Sequence, residues 1–277
     1  MTRSGRSPSD PMPFPQETTP RQQPPAEPGA PEILDRREGP YGEVVLRRQD
    51  GLLQIIANGC FLMDTSDGRS ERLLVRAAAD ALGEHADCSG PEAEAGPEAE
   101  AGPEAGPAAG GPRLLIGGLG VGFSLAEAAA DERWSRITVV EREKAVIDWH
   151  RAADRAPYAP FSRISGLALA DTRVGIAHAD LLDHLRTTEE RYEALALDID
   201  NGPDWTVTDG NLGLYGEEGL ALLERTMAPG AVLAVWSASD SPGFEARLRA
   251  RFITVRRLDV PVVRGTPDVV YLASQTS

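Results

Sequence analysis

Ile116-Gly117-Gly118-Leu119-Gly120-Val121-Gly122-Phe123 is the stretch of sequence that decides the fold. It joins a predicted apolar strand, Arg113–Ile116, to a predicted helix, Phe123–Ala130. Glycines in such a turn let the chain reverse sharply and let a ligand approach bare backbone. The dinucleotide fingerprint G-x-G-x-x-G would need a small residue at position 123, where Phe123 stands.

An acidic residue follows the next predicted strand, Arg136–Val140. Glu141 stands 19 residues after Gly122, and a carboxylate there can accept hydrogen bonds from both hydroxyls of a ribose. The G-x-G-x-G spacing and this acid together favour a nucleoside site of the S-adenosylmethionine (AdoMet) type. Its predicted contacts are Gly118, Gly120, Gly122 and Glu141. The alternatives are a purely structural glycine turn and a solvated glutamate.

Two further strand ends carry acids. Asp180 follows His178 and Ala179, and we expect it to accept the exocyclic amine of adenine, whereas His178 suits packing or a cap. Asp198 and Asp200 follow the next strand, and alternation would point them to the same side. Either could take a proton from an ammonium nucleophile or hold a cation. The alternative is that one or both cap the following turn.

Strands and helices alternate after the glycine turn, which predicts a parallel sheet with helices on both faces. Seven strands are expected, and the last two, Ile253–Val260 and Val269–Ala273, have no helix between them. They should therefore pair antiparallel. The fold class is α/β, with a Rossmann-like, mostly parallel sheet and an antiparallel last strand, as in class I methyltransferases.

Composition divides the chain into four parts. Residues 1–41 form a Pro-rich tail expected to be disordered, and 89–112 form an acidic low-complexity linker. Residues 42–88 should form a β-hairpin module with turns at Asp50-Gly51 and Asn58-Gly59 and a helix over Ser70–Leu82. Residues 113–277 form the nucleoside-binding domain.

Charge and hydropathy exclude several classes of function. A net charge of −15 argues against nucleic-acid binding and suits a cationic substrate, although many soluble enzymes are acidic. No segment approaches the roughly 20 apolar residues of a membrane helix. Cys60 and Cys88 lack metal-ligand spacing, so we expect no metal, and a reducing cytoplasm.

The order of these motifs, from about Gly42 to Ala273, resembles the spermidine synthase (polyamine aminopropyltransferase) family. The resemblance implies that decarboxylated AdoMet donates an aminopropyl group to an amine such as putrescine and leaves as methylthioadenosine. It makes Asp198 the general base, gives Glu141 and Asp180 the ribose and adenine contacts, and implies a homodimer. No metal is implied.

Three of the family's motifs are altered in this sequence. Gly120 replaces an Asp that grips the aminopropyl amine, and Asn201 replaces a second Asp that anchors the diamine. Ser70, Glu71 and Arg72 stand where the family has Tyr, then His or Gln, then Glu. An arginine at position 72 is expected to repel a diamine.

Two other functions therefore stay open. Without an acid at Gly120, the carboxylate of ordinary AdoMet would meet less repulsion, which favours a methyltransferase of unknown acceptor. A non-catalytic protein that keeps the fold is the third possibility. Trp205, Tyr215 and Trp236 lie in or near the loops at the strand ends and either form an aromatic wall or pack within those loops.

Overall fold

A computed structural model describes residues 30–88, 110–151, 159–207, 209–263 and 265–275. Most of the predicted tail, 1–29, and most of the predicted linker, 89–109, lie outside the described residues. From Pro31 onward the chain forms one compact unit. None of the helices in the described ranges is long and apolar enough to cross a membrane.

A four-stranded antiparallel sheet opens the described chain. Its strands, in spatial order, are β1 (Glu32–Gly39), β2 (Gly42–Gln49), β3 (Leu52–Ala57) and β4 (Cys60–Asp64). Both predicted hairpin turns are present. Their central residues have positive φ angles, 50° and 82° at Asp50-Gly51 and 51° and 78° at Asn58-Gly59, as type I′ turns require.

Strand β1 corrects the predicted boundary of the tail, because Glu32–Gly39 already forms a strand before Gly42. Its sequence, EILDRREG, is mostly charged and gives little strand signal. The charges are instead used across the hairpin, where Arg36 pairs with Glu43 and Arg48 with Glu32. An edge strand can keep such composition because one of its faces meets water.

Seven strands form the second sheet, in the order β10-β11-β9-β8-β5-β6-β7. Five neighbouring strands are parallel, and β11 runs antiparallel to both β9 and β10, which confirms the predicted fold class. The strands are β5 (Arg113–Gly117), β6 (Arg136–Glu141), β7 (Val174–His178), β8 (Tyr192–Leu197), β9 (Met227–Ser237), β10 (Thr254–Val260) and β11 (Asp268–Ser274).

Seven α-helices lie in the described ranges: α1 (Arg69–Cys88), α2 (Phe123–Ala130), α3 (Lys144–His150), α4 (Ser162–Leu169), α5 (Leu181–Thr187), α6 (Glu217–Thr226) and α7 (Pro242–Arg251). A 3₁₀ helix spans Asp209–Tyr215. The sequence did not predict α4, α5 or the 3₁₀ helix. Helix α1 packs on β8, β9, β11 and α2, so it belongs physically to the large sheet although it was assigned to the hairpin module.

Apolar clusters cover the two faces of the large sheet. One cluster joins Ile55 of β3, Leu74 of α1 and Ile116 of β5, so the small sheet and α1 share a core with the α/β domain. The other cluster packs α5, α6 and α7 on the opposite face, around residues such as Leu195 and Phe244. The shared core fixes the small sheet over the carboxyl ends of the parallel strands.

Candidate functional site

A cavity of about 860 Å³ lies at the carboxyl ends of the parallel strands, roofed by β3 and β4. Open α/β sheets bind ligands at this edge. All but one of the site residues predicted from the sequence line the cavity, namely Gly118, Gly120, Glu141, Asp180, Asp198 and Asp200. Gly122 is the exception.

The glycine turn is strained for any other residue. Gly118, Gly120 and Gly122 have φ angles of 93°, 49° and 97°. A Cβ at Gly118 would lie 2.1 Å from the carbonyl oxygen of Asp198, so only glycine lets the turn approach the end of β8. A Cβ at Gly122 would meet His150 and Ser165 at 2.9 Å, which gives Gly122 a packing role behind the turn.

A buried histidine holds the glycine turn from behind. His150 Nε2 lies 2.8 Å from the carbonyl oxygen of Gly120, and Nδ1 lies 2.6 Å from Ser165 Oγ. Burial lowers the pKa of His150 to about 4, although the Gly120 hydrogen bond opposes this. The ring is therefore neutral at pH 7 and serves as a support for the turn.

Glu141 ends β6 and is only 8% exposed. Its carboxylate accepts hydrogen bonds from the backbone N–H groups of Leu119, at 2.9 Å, and Glu143, at 2.7 Å. Burial raises its pKa against the effect of these two donors. A carboxylate can accept about four hydrogen bonds, so Glu141 keeps capacity for two hydroxyls in the cavity.

Asp180 both lines the cavity and caps a helix. Its Oδ1 accepts from the N–H groups of Leu182, at 2.9 Å, and Asp183, at 3.3 Å, at the start of α5. His178 does not line the cavity; its Nε2 lies 3.0 Å from the carbonyl oxygen of Arg142. His178 thus has the structural role that the sequence favoured.

The two acids after β8 have different surroundings. Asp200 has a φ of 52°, and its Oδ2 accepts from Val207 N–H at 3.1 Å and from Asn211 Nδ2 at 2.7 Å. Asp200 is therefore a loop-forming residue, as the alternative interpretation had it. In the part of the chain that the structure describes, the one hydrogen bond to the side chain of Asp198 comes from Ser124 Oγ, at 3.1 Å.

The chemistry of Asp198 follows from its burial. Loss of water raises its pKa to about 6; the Ser124 hydrogen bond opposes this, and the charges of Asp268 and Glu141 add to it. A carboxylate with such a pKa is mostly ionised at pH 7 and holds a proton better than an ordinary aspartate does. Asp198 is thus suited to accept a proton from an ammonium group.

Two of the cavity acids that the sequence analysis did not select as site residues, Glu71 and Asp268, interact electrostatically with Asp198. Glu71, in the first turn of α1, is 8% exposed, and burial together with the charges of Asp198 and Asp268 raises its pKa to about 8. Asp268 is the first residue of β11 and accepts a hydrogen bond from Ser70 Oγ. No motif marks Asp268; the signal was topological, because an antiparallel strand brings its first residue to this edge.

The expectation that Arg72 lies in the diamine pocket and repels a diamine is wrong. Its guanidinium lies over the ring of Phe123, 5.1 Å from the centroid, and 3.5 Å from Glu127. It does not line the cavity, whereas Glu71 does. Adjacent helix residues point about 100° apart, so the helix presents the carboxylate of Glu71 and turns the arginine away.

The remaining aromatic candidates divide into two groups. Trp205, which is 59% exposed, and Trp236 line the cavity. Tyr215 is fully buried, donates to the carbonyl oxygen of Ile199 at 3.1 Å and packs edge-on against Phe244, so it has the packing role. Next to Gly120, the backbone N–H of Val121 lies 3.2 Å from Met63 Sδ.

Comparisons with known proteins find relatives in structure but not in sequence. No protein-family model and no curated protein matches the chain. A spermidine synthase in complex with the transition-state analogue AdoDATO matches with a TM-score of 0.64 at 14% identity, over 88% of this chain and 74% of that one. The spermidine synthase from Thermotoga maritima gives 0.62 at 14%, over 88% and 73%. The chain therefore has the class I methyltransferase-like fold of spermidine synthases, as its sequence predicts.

Proposed function

We propose that this protein is an aminopropyltransferase that moves the aminopropyl group of decarboxylated AdoMet to an amine such as putrescine or a related polyamine. The observation that carries the proposal is a group of three carboxylates, Glu71, Asp198 and Asp268, on one cavity wall. Within the described ranges none of the three forms an ion pair, and each has a pKa raised by burial. Like charges in a cleft repel, which is one reason that Glu71 holds a proton there, and a bound cation would relieve the repulsion and favour the ionised carboxylates.

The charge of the whole cavity supports a cationic donor. Arg142 is the single Lys or Arg among its described lining residues, and it lies 3.6 Å from Glu143. The lining carboxylates are Asp64, Asp67, Glu71, Glu141, Glu143, Asp180, Asp198, Asp200 and Asp268. Decarboxylated AdoMet is purely cationic, whereas the carboxylate of AdoMet would meet repulsion here. This balance favours aminopropyl transfer over methyl transfer, despite the glycine at position 120.

The transfer needs little covalent help from the protein, because the sulfonium is already a good leaving group. Asp198 takes a proton from the acceptor ammonium, and the freed nitrogen attacks the propyl carbon bonded to sulfur. The new N–C bond forms as the C–S bond breaks, and its electron pair returns to sulfur, which leaves as the neutral thioether of methylthioadenosine. In this proposal Glu141 and Asp180 orient the nucleoside, so that the protein acts mainly by positioning.

Calorimetric titration with decarboxylated AdoMet and, separately, with AdoMet tests the proposal. We expect the decarboxylated form to bind more tightly by at least about tenfold, or 1.4 kcal/mol. Equal or tighter binding of AdoMet would overturn the proposal and favour a methyltransferase. Absence of binding by both would favour a non-catalytic protein.

A matched pair of variants tests the role of Asp198. Asp198→Asn should abolish aminopropyl transfer to putrescine and leave methylthioadenosine binding in place, because it removes the proton acceptor and keeps the shape. Asp183→Asn, at an acid on α5 that pairs with Arg186, should leave turnover unchanged. Normal turnover by Asp198→Asn would contradict the assignment.

The proposal extends to the assembly and the setting of the enzyme. We propose a homodimer that works in the cytoplasm without a metal, in line with the family that the sequence resembles. Within the described residues, no group of three or more His, Cys, Asp or Glu side chains could hold a metal ion. Sedimentation velocity tests the homodimer, and activity in the presence of a chelator tests the independence from metal.

A further inference from the structure

The three carboxylates come from three separate elements. Glu71 lies in the first turn of α1, Asp198 follows β8, and Asp268 begins β11. Ser124 Oγ lies 3.1 Å from Asp198 Oδ2 and 3.3 Å from the carbonyl oxygen of Glu71, so it joins two of these elements. Ser70, the neighbour of Glu71, donates to Asp268 and joins the third.

Arginines adjacent in sequence do not neutralise this group. Arg69 pairs with Asp67 at 2.8 Å, and Arg72 lies against Phe123 and Glu127. Glu71 is more than nine-tenths buried and lines the cavity, and none of the described Lys, Arg or His side chains forms an ion pair with it. The wall is therefore shaped for a positive charge that the protein itself does not supply.

Asn201 does not meet this need. It is a neutral side chain, 6% exposed, and its Nδ2 is buried without a hydrogen-bond partner in the described structure. Its backbone carbonyl accepts from the N–H of Ala238 at 3.1 Å, just after β9, and β9 pairs with the start of β11 through Ser237 and Val269. Asp268 thus offers, on a neighbouring strand, the charge that Asn201 lacks.

We infer that Asp268, together with Glu71, forms an ammonium subsite that anchors the far end of the acceptor while its reacting amine meets Asp198. Asp268 is then a specificity-determining residue, and the preferred acceptors carry two ammonium groups. The inference rests on the proposed function for the identity of the reacting amine. The binding of a diamine to the acidic wall is a separate statement and can be measured by itself.

Two probes isolate the far end of the acceptor. Putrescine and aminobutanol have the same carbon chain, but one ends in an ammonium and the other in a hydroxyl. Calorimetric titrations with and without methylthioadenosine should show that the unaltered protein binds putrescine at least about tenfold more tightly than aminobutanol, because a charged hydrogen bond is stronger than a neutral one.

The variants assign that preference to residues. Asp268→Asn keeps the shape and should remove most of the preference by weakening putrescine, with little effect on aminobutanol. Glu71→Gln should reduce it in the same direction. Asp80→Asn, at an exposed acid on the outer face of α1 that pairs with Arg133, should keep it.

Several results would overturn the inference. Equal weakening of both amines in Asp268→Asn would indicate a structural role only. Full retention of the preference in that variant, or binding of neither amine by the unaltered protein, would reject the subsite. A preference that depends on Asp268, in a protein that does not bind decarboxylated AdoMet, would keep the subsite and reject aminopropyl transfer. The two proposals can therefore fail separately.

Discussion

Glu71 should make stability depend on pH in a defined window. Its pKa is 4.5 in a model peptide and about 8 in the folded protein, so folding takes up a proton between these values. A group with a raised folded pKa contributes stability fully below its unfolded pKa and loses it as pH rises through the folded pKa. We expect the free energy of unfolding to fall by on the order of 1 kcal/mol or more between about pH 5 and about pH 9.

Glu71→Gln is the variant that tests this window. It keeps a neutral side chain at every pH, so the unfolding free energy measured by urea titration should fall less above about pH 6. Asp198 is unchanged in this variant, and its pKa, raised from 3.8 to about 6, affects stability only at lower pH. Asp80→Asn serves as the control and should keep the slope of the parent protein. An unchanged slope in Glu71→Gln would mean that Glu71 is ionised throughout.

His150 should affect ligand binding without touching the ligand. His150→Ala removes the hydrogen bond to the carbonyl of Gly120 and the packing behind Gly122. We expect a loss of about 1–3 kcal/mol in unfolding free energy and weaker binding of methylthioadenosine. The exposed His178→Ala should change stability by less than about 0.5 kcal/mol. Nucleoside affinity unchanged in His150→Ala would show that the turn is held by its glycines alone.

At the scale of elements, hydrophobic periodicity and turn residues predicted the helices and strands that bury an apolar face. The hairpin turns and the alternating strands and helices follow from local rules, and Phe123–Ala130 begins and ends at the predicted residues. Helices α4 and α5 were missed because each is at most eight residues long, which is too short for an apolar pattern of helical spacing to repeat. Strand β1 was missed because its sequence, EILDRREG, is mostly charged and so lacks the apolar alternation that marks a strand.

The candidate site was likewise predictable only where local sequence patterns place its residues. Glu141, Asp180 and Asp198 end consecutive parallel strands, so the strand pattern alone places them at one edge of the sheet. Prediction of Glu71 would have required the rotation of α1 about its axis. The motif alignment put the family's glutamate at position 72, whereas the helix presents residue 71 to the cavity. Asp268 needed the position of β11 in the sheet, since nothing around Pro267 and Asp268 forms a motif. The sequence therefore predicted the site residues that stand at the ends of parallel strands, and it did not predict those that only the tertiary fold brings to the cavity.

Strand β1 is fastened to the large domain by a polar network that can be tested. Asp35 accepts from Trp149 Nε1 at 2.8 Å and from Arg37 Nε at 2.9 Å, and Arg37 pairs with Asp148 of α3 at 2.8 Å. Asp35→Ala should lower the unfolding free energy by about 1–2 kcal/mol, because the indole N–H and the guanidinium lose a partner. Glu38→Ala, at an exposed position of the same strand, should have little effect. Equal stability of both variants would mean that β1 is held by its backbone pairing alone.

At the scale of the molecule, the net charge and the cavity act in the same direction. The chain carries 43 acidic residues against 28 Lys and Arg, and the cavity concentrates carboxylates inside walls of low dielectric. Such an arrangement focuses the field at the cavity and attracts cations from a distance. Salt screens this attraction over a Debye length of about 8 Å at physiological ionic strength. A cationic acceptor and a neutral nucleoside should therefore respond differently to salt.

We expect the dissociation constant of putrescine to rise severalfold between about 0.05 M and about 0.5 M sodium chloride, because the Debye length shrinks across that range. Methylthioadenosine is uncharged at neutral pH, so its binding to the same cavity should change little and serves as the internal control. Asp268→Asn should flatten the salt dependence for putrescine, since one of the attracting charges is gone. If both ligands responded equally to salt, the carboxylates of the cavity would not be the source of amine affinity, and the acidity of the chain would be a matter of its surface alone.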